Sequence, residues 1–370
     1  MFKTLFHNFT RNFDFLLFSL LVAITTIGIV EVYSATYSYE DNLKFVIIQV
    51  IALVIGICLM FLVMSIDYEI YKSLWKYIFG FNILLLVAVL LFGTGLEEAG
   101  GKSWFRFGPI GFQPAELVKI GFAITLARHI DKLKDDINSF SNVCKLGLHL
   151  AVILFLIALQ PDMGTGLVFC FMFIIMLYIA GLSYKYYAIG AGVFAVMLPI
   201  TWYFLQPYQK NRILVFFNPE SDPLGSGYHV MQSKLAIGSG EMLGKGYLNG
   251  PQTQIGILPA KHTDFIYAVI GEEFGLIGCI IVALLLFAII IRCVFIAKNA
   301  KTDFGTLVCI GIAAMFLFHT FENIGMCIGL MPVTGIPLPF VSYGGTSILT
   351  NFIAMGLVMN VRYRCRVINF

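Results

Sequence analysis

Several acidic and basic side chains interrupt the long apolar runs of this sequence, and they could contribute two kinds of chemistry. A carboxylate can accept a proton from an attacking hydroxyl group as a general base, and a cationic side chain can stabilise negative charge on a departing group. Ionisable residues inside apolar segments are costly to bury, so each one is a candidate functional residue. The candidates are Glu116, Lys119, Asp162, Asp264, Glu272, Glu273, His319 and Glu322.

Asp264 has the position expected of a general base at a membrane surface. It follows His262 and Thr263 at the end of a long polar segment, immediately before a run of apolar residues. Aspartate is also a favoured N-cap residue, so the same position can serve to begin the next helix. The pattern therefore leaves capping and catalysis as equal alternatives, and both can hold at once.

Two further groups admit structural as well as functional explanations. Glu116 and Lys119 are three residues apart and share one helical face. They can neutralise one another, or they can line a polar cavity that is open to the outer surface. Asp162 follows Pro161 between two apolar runs, and a carboxylate at that position can cap the helix that follows.

Two further pairs of ionisable residues lie within predicted helices. Glu272 and Glu273 are adjacent, so on a helix they point in different directions and at most one of them shares the face of Asp264. His319 and Glu322 are three residues apart within an apolar run. Their spacing indicates a structural polar contact.

The composition indicates what kind of fold positions these groups. The chain has 370 residues, of which 59% are hydrophobic and 12% are charged, with a mean hydropathy of +0.88, whereas soluble domains carry about 25% charged residues. These values exclude a soluble globular enzyme and indicate an all-α polytopic integral membrane protein. A net charge of +3 gives no support to nucleic-acid binding. The 8 cysteines are scattered without a C-x-x-C pair, so we interpret them as small hydrophobic residues.

Ten apolar runs are long enough to predict membrane-spanning helices, which need about 20 residues each. They cover residues 15–33, 43–64, 76–93, 113–129, 147–160, 163–182, 188–205, 265–291, 306–330 and 345–361. The fifth run is short and is joined to the sixth through Gln160, Pro161 and Asp162, which predicts a tight helical hairpin. Together the runs predict a single membrane domain over residues 1–370.

The basic residues predict how these helices are oriented. With the N-terminus in the cytoplasm, the cytoplasmic segments contain nearly twice as many Lys and Arg residues as the outer segments, as the positive-inside rule requires. Both termini are then cytoplasmic, and the first run is a retained anchor rather than a cleaved signal. Lys3 and Arg11 precede the first run, and Arg362, Arg364 and Arg366 follow the last.

In this orientation the longest loop, residues 206–264, faces outward. It contains turn residues, a Gly-rich stretch and a short amphipathic helix predicted from Tyr228 to Ile237, with Gln232, Ser233 and Lys234 on its polar face. These features indicate a segment that folds onto the outer membrane surface. A second outward loop, residues 94–112, contains Trp104 between two basic residues and is typical of an interfacial anchor. The basic residues of these loops that can bind an anionic group are Lys102, Arg106, Lys210 and Arg212.

Four motifs resemble the signatures of the SEDS family (shape, elongation, division and sporulation). They are Gln113-Pro114-Ala115-Glu116, the segment from Gln160 to Thr165, the segment from Lys261 to Ile266 and the segment from Pro337 to Gly345. They occur in the family's order, and the resemblance covers almost the whole chain. The stretch from Asn218 to His229 is more similar to the family's elongation branch than to its division branch. The sequence departs from the family at Ala260-Lys261, where the family often has an acidic and a variable residue.

The resemblance implies a peptidoglycan glycosyltransferase that polymerises lipid II, the lipid-linked disaccharide-peptide precursor, at the outer face of the cytoplasmic membrane. The family's essential aspartate corresponds to Asp264, and its second important acid corresponds to Asp162. A sugar hydroxyl attacks an anomeric carbon as polyprenyl diphosphate departs, so the reaction needs a base and nearby cations. A divalent cation, Mg²⁺ or Mn²⁺, can assist at the diphosphate. The candidate substrate contacts are Lys119, Glu116, Asp162, Lys102, Arg106, Lys210, Arg212 and His262.

The implied partners are a class B penicillin-binding protein, which crosslinks the product, and other membrane proteins of the elongation complex. Two other functions remain open: a transporter that flips lipid II, and a non-catalytic scaffold that recruits the penicillin-binding protein. A transporter places its charges near the membrane midplane between repeats. Here the strongest candidate acid lies at the predicted membrane surface, and the sequence has no clear internal repeat. A scaffold would not require Asp264.

Overall fold

The computed structural model describes residues 13–95, 102–107, 110–222 and 225–365, and most of them are helical. The α-helices, in chain order, are α1 (Phe15–Thr36), α2 (Asn42–Ser65), α3 (Tyr68–Ser73), α4 (Trp75–Phe92), α5 (Pro114–Leu133), α6 (Phe140–Ala158), α7 (Met163–Ile179), α8 (Tyr184–Phe204), α9 (Pro207–Phe217), α10 (Ser226–Ser239), α11 (Pro251–Gln254), α12 (Ile266–Lys298), α13 (Asp303–Cys327) and α14 (Gly345–Cys365). Lys3, Arg11 and Arg366, on which the predicted orientation partly depends, lie outside the described residues.

The helices confirm the predicted all-helical membrane fold, because every predicted span coincides with a helix. Seven helices are long and apolar enough to cross a membrane, namely α1, α2, α4, α6, α8, α12 and α13. Of the other three, α7 is apolar but has 17 residues, whereas α5 and α14 are long enough but more polar. The count of ten spans therefore stays a prediction for these three helices.

The helix ends differ from the predicted spans where polar residues extend an apolar run. The fifth predicted span begins at residue 147, but α6 begins at Phe140 and includes Asn142 and Lys145. Helical hydrogen bonding does not depend on hydropathy, so it continues past the end of the apolar run. The predicted hairpin is confirmed, because α6 and α7 are separated by the short turn around Pro161 and pack against one another.

Helix α12 is interrupted near its beginning by a glycine. Gly275 has φ 64° and ψ −161°, a conformation that favours glycine. The neighbouring Gly-rich segment occupies the interruption: the Lys245 amide donates to the Glu272 carbonyl at 2.9 Å, and the Leu276 amide donates to the Glu241 carbonyl at 2.9 Å. The Gly-rich stretch of the sequence is therefore a strip of backbone that satisfies polar groups left free by the kink.

Helix α13 forms the centre of the bundle. In its most apolar 18-residue window, 78% of the residues are buried, and the helix packs against α12, α7 and α5. Helices α14 and α2 make a second close contact, where a Cβ atom on Gly356 would lie 2.8 Å from the Met60 carbonyl oxygen. Small residues allow helices to approach closely in membrane bundles, so this position requires glycine.

The described residues of the segment 206–264, which are 206–222 and 225–264, are folded, as predicted, and contain α9, α10 and α11. Helix α10 confirms the helix predicted from Tyr228 to Ile237, but Ser233, which we assigned to its polar face, is buried. The Ser233 hydroxyl donates to the Cys327 carbonyl at 2.7 Å, while Met231 and Leu235 are 40% and 54% exposed. The assignment of Ser233 was wrong because hydropathy does not reveal a buried hydroxyl that has a partner.

Several loops meet at one end of the bundle, which we call the loop end. These are residues 93–95, 102–107, 110–113, 159–162, 205–222, 225–265 and 328–344. Contacts between them include Tyr208 Oη to the Pro161 carbonyl at 3.0 Å, Ser103 Oγ to the Gln160 carbonyl at 3.5 Å and Thr346 Oγ1 of α14 to the Gly111 carbonyl at 3.1 Å. A short antiparallel hairpin, β1 (Phe105–Phe107) and β2 (Ile110–Phe112), replaces the predicted interfacial loop.

Candidate active site

The Asp264 side chain lies at the loop end, next to the first turn of α12. The helix begins at Ile266, and its N-cap residue, Phe265, makes no side-chain cap hydrogen bond. The Asp264 carboxylate makes no hydrogen bond or ion pair with any residue that the structure describes. The capping alternative was therefore wrong, because the turn places Asp264 one residue too early to cap the helix. Its carboxylate oxygens are left available to a substrate.

The electrostatic surroundings of Asp264 suit a base. Burial raises the pKa of its carboxyl group to about 6, and the positive charge of Arg212 acts in the opposite direction. A carboxylate with this pKa is mostly ionised at neutral pH, and it is a stronger base than an exposed aspartate. Asp264 can therefore accept a proton near neutral pH.

Asn323 holds the main chain at Asp264 in place. Its side-chain amide donates to the Asp264 carbonyl at 2.8 Å and to the Ile336 carbonyl at 2.9 Å. Asn323 belongs to the central helix α13, so it joins two loops to the least exposed part of the bundle. On the Ile336 side, a Cβ atom added to Gly335 would lie 3.5 Å from Asp264 Oδ2. The loop that contains Gly335 therefore forms one wall beside the carboxylate.

A serine makes a second connection between the same two loops. The Ser342 hydroxyl donates to the Thr263 carbonyl at 2.6 Å and accepts from the Leu338 amide at 2.8 Å. The Tyr343 amide also donates to the His262 carbonyl at 2.8 Å. The motifs around Asp264 and around Ser342, which are far apart in the sequence, thus form one structural unit.

Arg212 is the predicted cation that the structure brings to Asp264. It lies on α9, its Nη1 is 3.5 Å from the Thr334 carbonyl oxygen, and its guanidinium carbon is 5.7 Å from the centre of the Tyr208 ring. Burial raises the pKa of Asp264 and the charge of Arg212 opposes that increase, whereas burial lowers the pKa of His229 and the charge of Arg212 lowers it further. A carboxylate and a guanidinium group thus face the same region, as proton transfer beside an anionic leaving group requires.

The other predicted basic residues lie elsewhere at the loop end. Lys210 Nζ is 3.5 Å from the Tyr203 carbonyl oxygen. Lys102 and Arg106 are exposed, before and within the β-hairpin. Nothing in the described contacts joins these three side chains to Asp264, so their role as substrate contacts stays a prediction.

Asp162 caps a helix, as one of its two explanations predicted. Its carboxylate accepts from the Thr165 amide at 3.0 Å and from the Thr165 hydroxyl at 2.8 Å. It also accepts from Gln113 Nε2 at 3.0 Å. Two residues further on, a Cβ atom added to Gly164 would lie 3.1 Å from Thr334 Cβ. Asp162 and Asp264 therefore border the same short segment, residues 334–336, from different sides.

Glu116 and Lys119 form a buried pair. Lys119 Nζ lies 2.7 Å from Glu116 Oε1, with side-chain exposures of 1% and 7%, and it lies 2.8 Å from His319 Nε2. The pair is not part of a cavity wall open to the surface, because neighbouring helices enclose it. Contact with substrate would require this region to open, so their function as substrate contacts stays a prediction.

His319 and Glu322 make polar contacts, as their spacing indicated, but with different partners. His319 contacts Lys119, whereas Glu322 Oε1 accepts from the Thr334 hydroxyl at 3.0 Å. Through Thr334, Glu322 supports the segment that also contacts Arg212. The sequence did not predict this contact, because neither hydropathy nor helical spacing shows that the loop residue Thr334 packs against α13.

His262 belongs to an aromatic cluster beside the site. Its ring lies 5.8 Å from the Tyr39 ring, 5.4 Å from the Phe45 ring and 5.6 Å from the Tyr343 ring. Burial and the charge of Lys261 lower the pKa of His262 to about 4. His262 is therefore neutral at physiological pH, and its Nδ1 is buried without a hydrogen-bond partner among the described residues.

The two adjacent glutamates of α12 point in different directions, as predicted. Glu272 accepts from the amides of Gln252 and Thr253 at 2.8 and 2.9 Å and from the Thr253 hydroxyl at 2.6 Å. Lys261 supports the same turn from the other side, because its Nζ donates to the Thr253 carbonyl at 2.6 Å. Lys261, where the sequence departs from the family, thus makes a buried structural contact. No group of three His, Cys, Asp or Glu side chains suited to a metal ion occurs among the described residues.

Comparison with known proteins assigns the chain to a family. Residues 14–366 match the family model FtsW/RodA/SpoVE, described as cell cycle protein. The chain is 38% identical over 315 residues to the peptidoglycan glycosyltransferase MrdB of Escherichia coli K12, covering 83% of this chain and 82% of that protein. A structure from a study of how a peptidoglycan synthase complex coordinates polymerization and crosslinking is similar with a TM-score of 0.81 and 29% identity, covering 95% of this chain and 97% of that chain. The rod shape determining protein RodA of Thermus thermophilus is similar with a TM-score of 0.71 and 28% identity, covering 95% and 96% of the two chains.

Proposed function

Because this chain belongs to the SEDS family, which comprises FtsW, RodA and SpoVE, and is a peptidoglycan glycosyltransferase, we propose that it polymerises lipid II during cell elongation with Asp264 as general base. The observation that carries the proposal is the free Asp264 carboxylate, which lies within the electrostatic influence of Arg212. The Asp264 carboxylate and the Arg212 guanidinium group both lie beside the loop that contains Thr334 and Gly335.

In the proposed reaction, Asp264 accepts the proton of the attacking sugar hydroxyl. The hydroxyl oxygen forms a bond to the anomeric carbon of the second sugar, and the bond from that carbon to the diphosphate oxygen breaks. The polyprenyl diphosphate leaves with the bonding electrons, so negative charge develops away from Asp264. The raised pKa of Asp264 makes it a better proton acceptor than an exposed carboxylate.

Arg212 is the proposed partner of the departing diphosphate. Guanidinium groups bind phosphate oxygens with two parallel hydrogen bonds, and a cation at the leaving group stabilises the transition state. Further proposed contacts of the diphosphate at the loop end are Lys102, Arg106 and Lys210. The proposed contacts of the substrate sugars are Asp162 and His262. A divalent cation, Mg²⁺ or Mn²⁺, would supply additional positive charge at the diphosphate.

The proposed location of the reaction follows from the basic residues. We place the loop end at the outer face of the bacterial cytoplasmic membrane, with both termini in the cytoplasm. The proposed partner is a class B penicillin-binding protein, with other membrane proteins of the elongation complex. The similarity to a chain from a peptidoglycan synthase complex supports this partner.

A reconstitution assay tests the proposal. The protein is purified with its penicillin-binding partner, inserted into vesicles and supplied with labelled lipid II, and the products are separated by size. We expect glycan polymer from the intact pair and none from Asp264→Asn. Transfer of labelled lipid II across the vesicle membrane without polymer would indicate a transporter. Polymer formation that does not depend on this chain would indicate a scaffold.

A further inference from the structure

A buried acidic cluster lies away from Asp264, between α1 and the start of α12. Glu31 and Glu273 are 2% and 1% exposed, and the charge of Glu273 acts on Glu31. The Ser34 hydroxyl, one helical turn after Glu31, donates to Glu273 Oε1. Neither glutamate forms an ion pair with a residue that the structure describes.

Gln254 of α11 covers this cluster from the loop end. Its Nε2 donates to the Ser34 carbonyl at 3.2 Å, to the Ser34 hydroxyl at 3.2 Å and to Glu273 Oε1 at 3.3 Å. Three buried oxygens remain without a hydrogen-bond partner among the described residues: Glu31 Oε2, Glu273 Oε2 and Gln254 Oε1. Buried acceptors of this kind normally have a partner, and here three of them occur on neighbouring side chains.

Tyr247 provides an independent indication that the two carboxylates lie together. Its hydroxyl donates to the Val30 carbonyl at 3.1 Å, so it sits on the turn of α1 that carries Glu31. Burial raises the pKa of Tyr247 to about 12, and the charges of both Glu31 and Glu273 contribute to the increase. The Tyr247 hydroxyl group therefore lies within the electrostatic influence of both carboxylates.

The cluster offers the kind of ligands that a divalent cation requires. Glu272 and Lys261 are bound to opposite sides of Thr253, whereas Glu31 and Glu273 each have one oxygen without a hydrogen-bond partner among the described residues. Oxygen ligands from carboxylates and amides are those that hard divalent cations prefer, and a charge of +2 neutralises both carboxylates at once.

We propose that a hard divalent cation binds between Glu31 and Glu273, with Gln254 Oε1 as a third protein ligand. The site joins α1, the kinked start of α12 and the turn α11. That turn leads through Lys261 to Asp264, so the cation stabilises the segment on which the catalytic carboxylate depends. This site is separate from any cation that accompanies the diphosphate, because the Asp264 side chain is not among its ligands.

Cation binding to the purified full-length chain, without substrate, tests the proposal. Protein treated with a chelator is dialysed against Ca²⁺, Mg²⁺ or Mn²⁺, and bound metal is measured together with the Tm. We expect one ion per chain at this site and a rise in Tm. Glu31→Gln and Glu273→Gln should each weaken binding by roughly 100-fold, since each removes a charged ligand. Gln254→Ala, a milder change at a half-buried residue, should weaken binding by about tenfold.

Two control variants separate this site from others. Glu241→Gln removes an exposed acid from the same part of the chain, and Asp264→Asn removes the proposed catalytic base; both should bind the ion as tightly as the unmodified chain. The proposal is overturned if the unmodified chain binds no divalent ion, as it would if the two glutamates shared a proton. It is also overturned if Asp264→Asn abolishes binding while Gln254→Ala and any glutamate variant that folds bind normally.

Discussion

The side-chain amide of Asn323 donates a hydrogen bond of 2.8 Å to the main-chain carbonyl of Asp264. The same nitrogen donates to a second loop, at Ile336, so one buried side chain positions both walls of the candidate site. A displacement of about 1 Å in a reacting group can reduce the rate roughly 100-fold. The placement of Asp264 therefore depends on a residue that does not itself contact substrate.

Replacing Asn323 should impair catalysis more than stability alone can explain. Asn323→Ala removes both hydrogen bonds, and we expect kcat to fall by about 100-fold with a loss of stability on the order of 1–3 kcal/mol. Asn360→Ala is a matched control, because the Asn360 amide donates to the carbonyls of Val63 and Ile66 away from the loop end. It should lower stability similarly and leave kcat near normal. A similar fall in kcat in both variants would contradict a positioning role for Asn323.

The pH dependence of polymerisation should report the pKa of Asp264. A base acts in its ionised form, so the rate should rise as pH increases through about 6 and then level off. Arg212 lowers this pKa, and Arg212→Gln should therefore move the midpoint to higher pH. It should also reduce the plateau rate by about 10²–10³ if Arg212 binds the diphosphate. Lys210→Gln, on the same helix, should leave the midpoint unchanged, and an equal shift in both variants would exclude a specific role for Arg212.

The buried pair of Glu116 and Lys119 should be more sensitive to the loss of one member than of both. Lys119→Met leaves Glu116 uncompensated, which typically costs about 3–5 kcal/mol when a buried pair is broken. We expect the double variant Glu116→Gln/Lys119→Met to be more stable and more active than Lys119→Met, as measured by thermal unfolding and polymer yield. If the double variant folds but remains as inactive as the single one, Lys119 has a direct role with the substrate.

The loop end should tolerate insertions poorly. Gly250 is buried, and a Cβ atom there would lie 2.5 Å from Glu272 Oε2, so a flexible linker inserted beside it should displace α11 and the segment leading to Asp264. We expect a strong loss of polymer without loss of assembly with the penicillin-binding protein. The same linker beside Ser139, an exposed residue before α6, should have little effect. Equal tolerance at both positions would mean that the segment is a simple connector.

The sequence predicted the helices and the central acid better than the contacts around them. Apolar runs of sufficient length must form helices in a bilayer because backbone groups need internal partners there, so each run located a helix. Helix α9 was not predicted, although Pro207 and the capping box of Gln206 and Gln209 mark its beginning. Asn323 was also missed, because its partners lie on two loops, and neither hydropathy nor helical spacing predicts which loops contact a helix.

The alternative roles of the acids could not be separated by pattern alone. Asp162 and Asp264 both precede helices, yet Asp162 accepts a cap hydrogen bond from Thr165 and Asp264 makes none with the described residues. The difference is one residue in where the helix begins, which is within the usual uncertainty of a helix end. Because Phe265 rather than Asp264 is the N-cap residue, the Asp264 carboxylate does not accept a cap hydrogen bond.

The most direct measurement of the central claim is polymerisation of lipid II by Asp264→Asn, with its partner, in the same vesicles as the unmodified enzyme. Asparagine has nearly the same shape and cannot accept the proton, and the Asp264 carboxylate makes no hydrogen bond with the described residues that the substitution would break. The account predicts a normally folded and assembled variant, shown by an unchanged or higher Tm, that forms no detectable glycan polymer. Near-normal polymer formation by this variant would contradict the assignment of Asp264 as the general base.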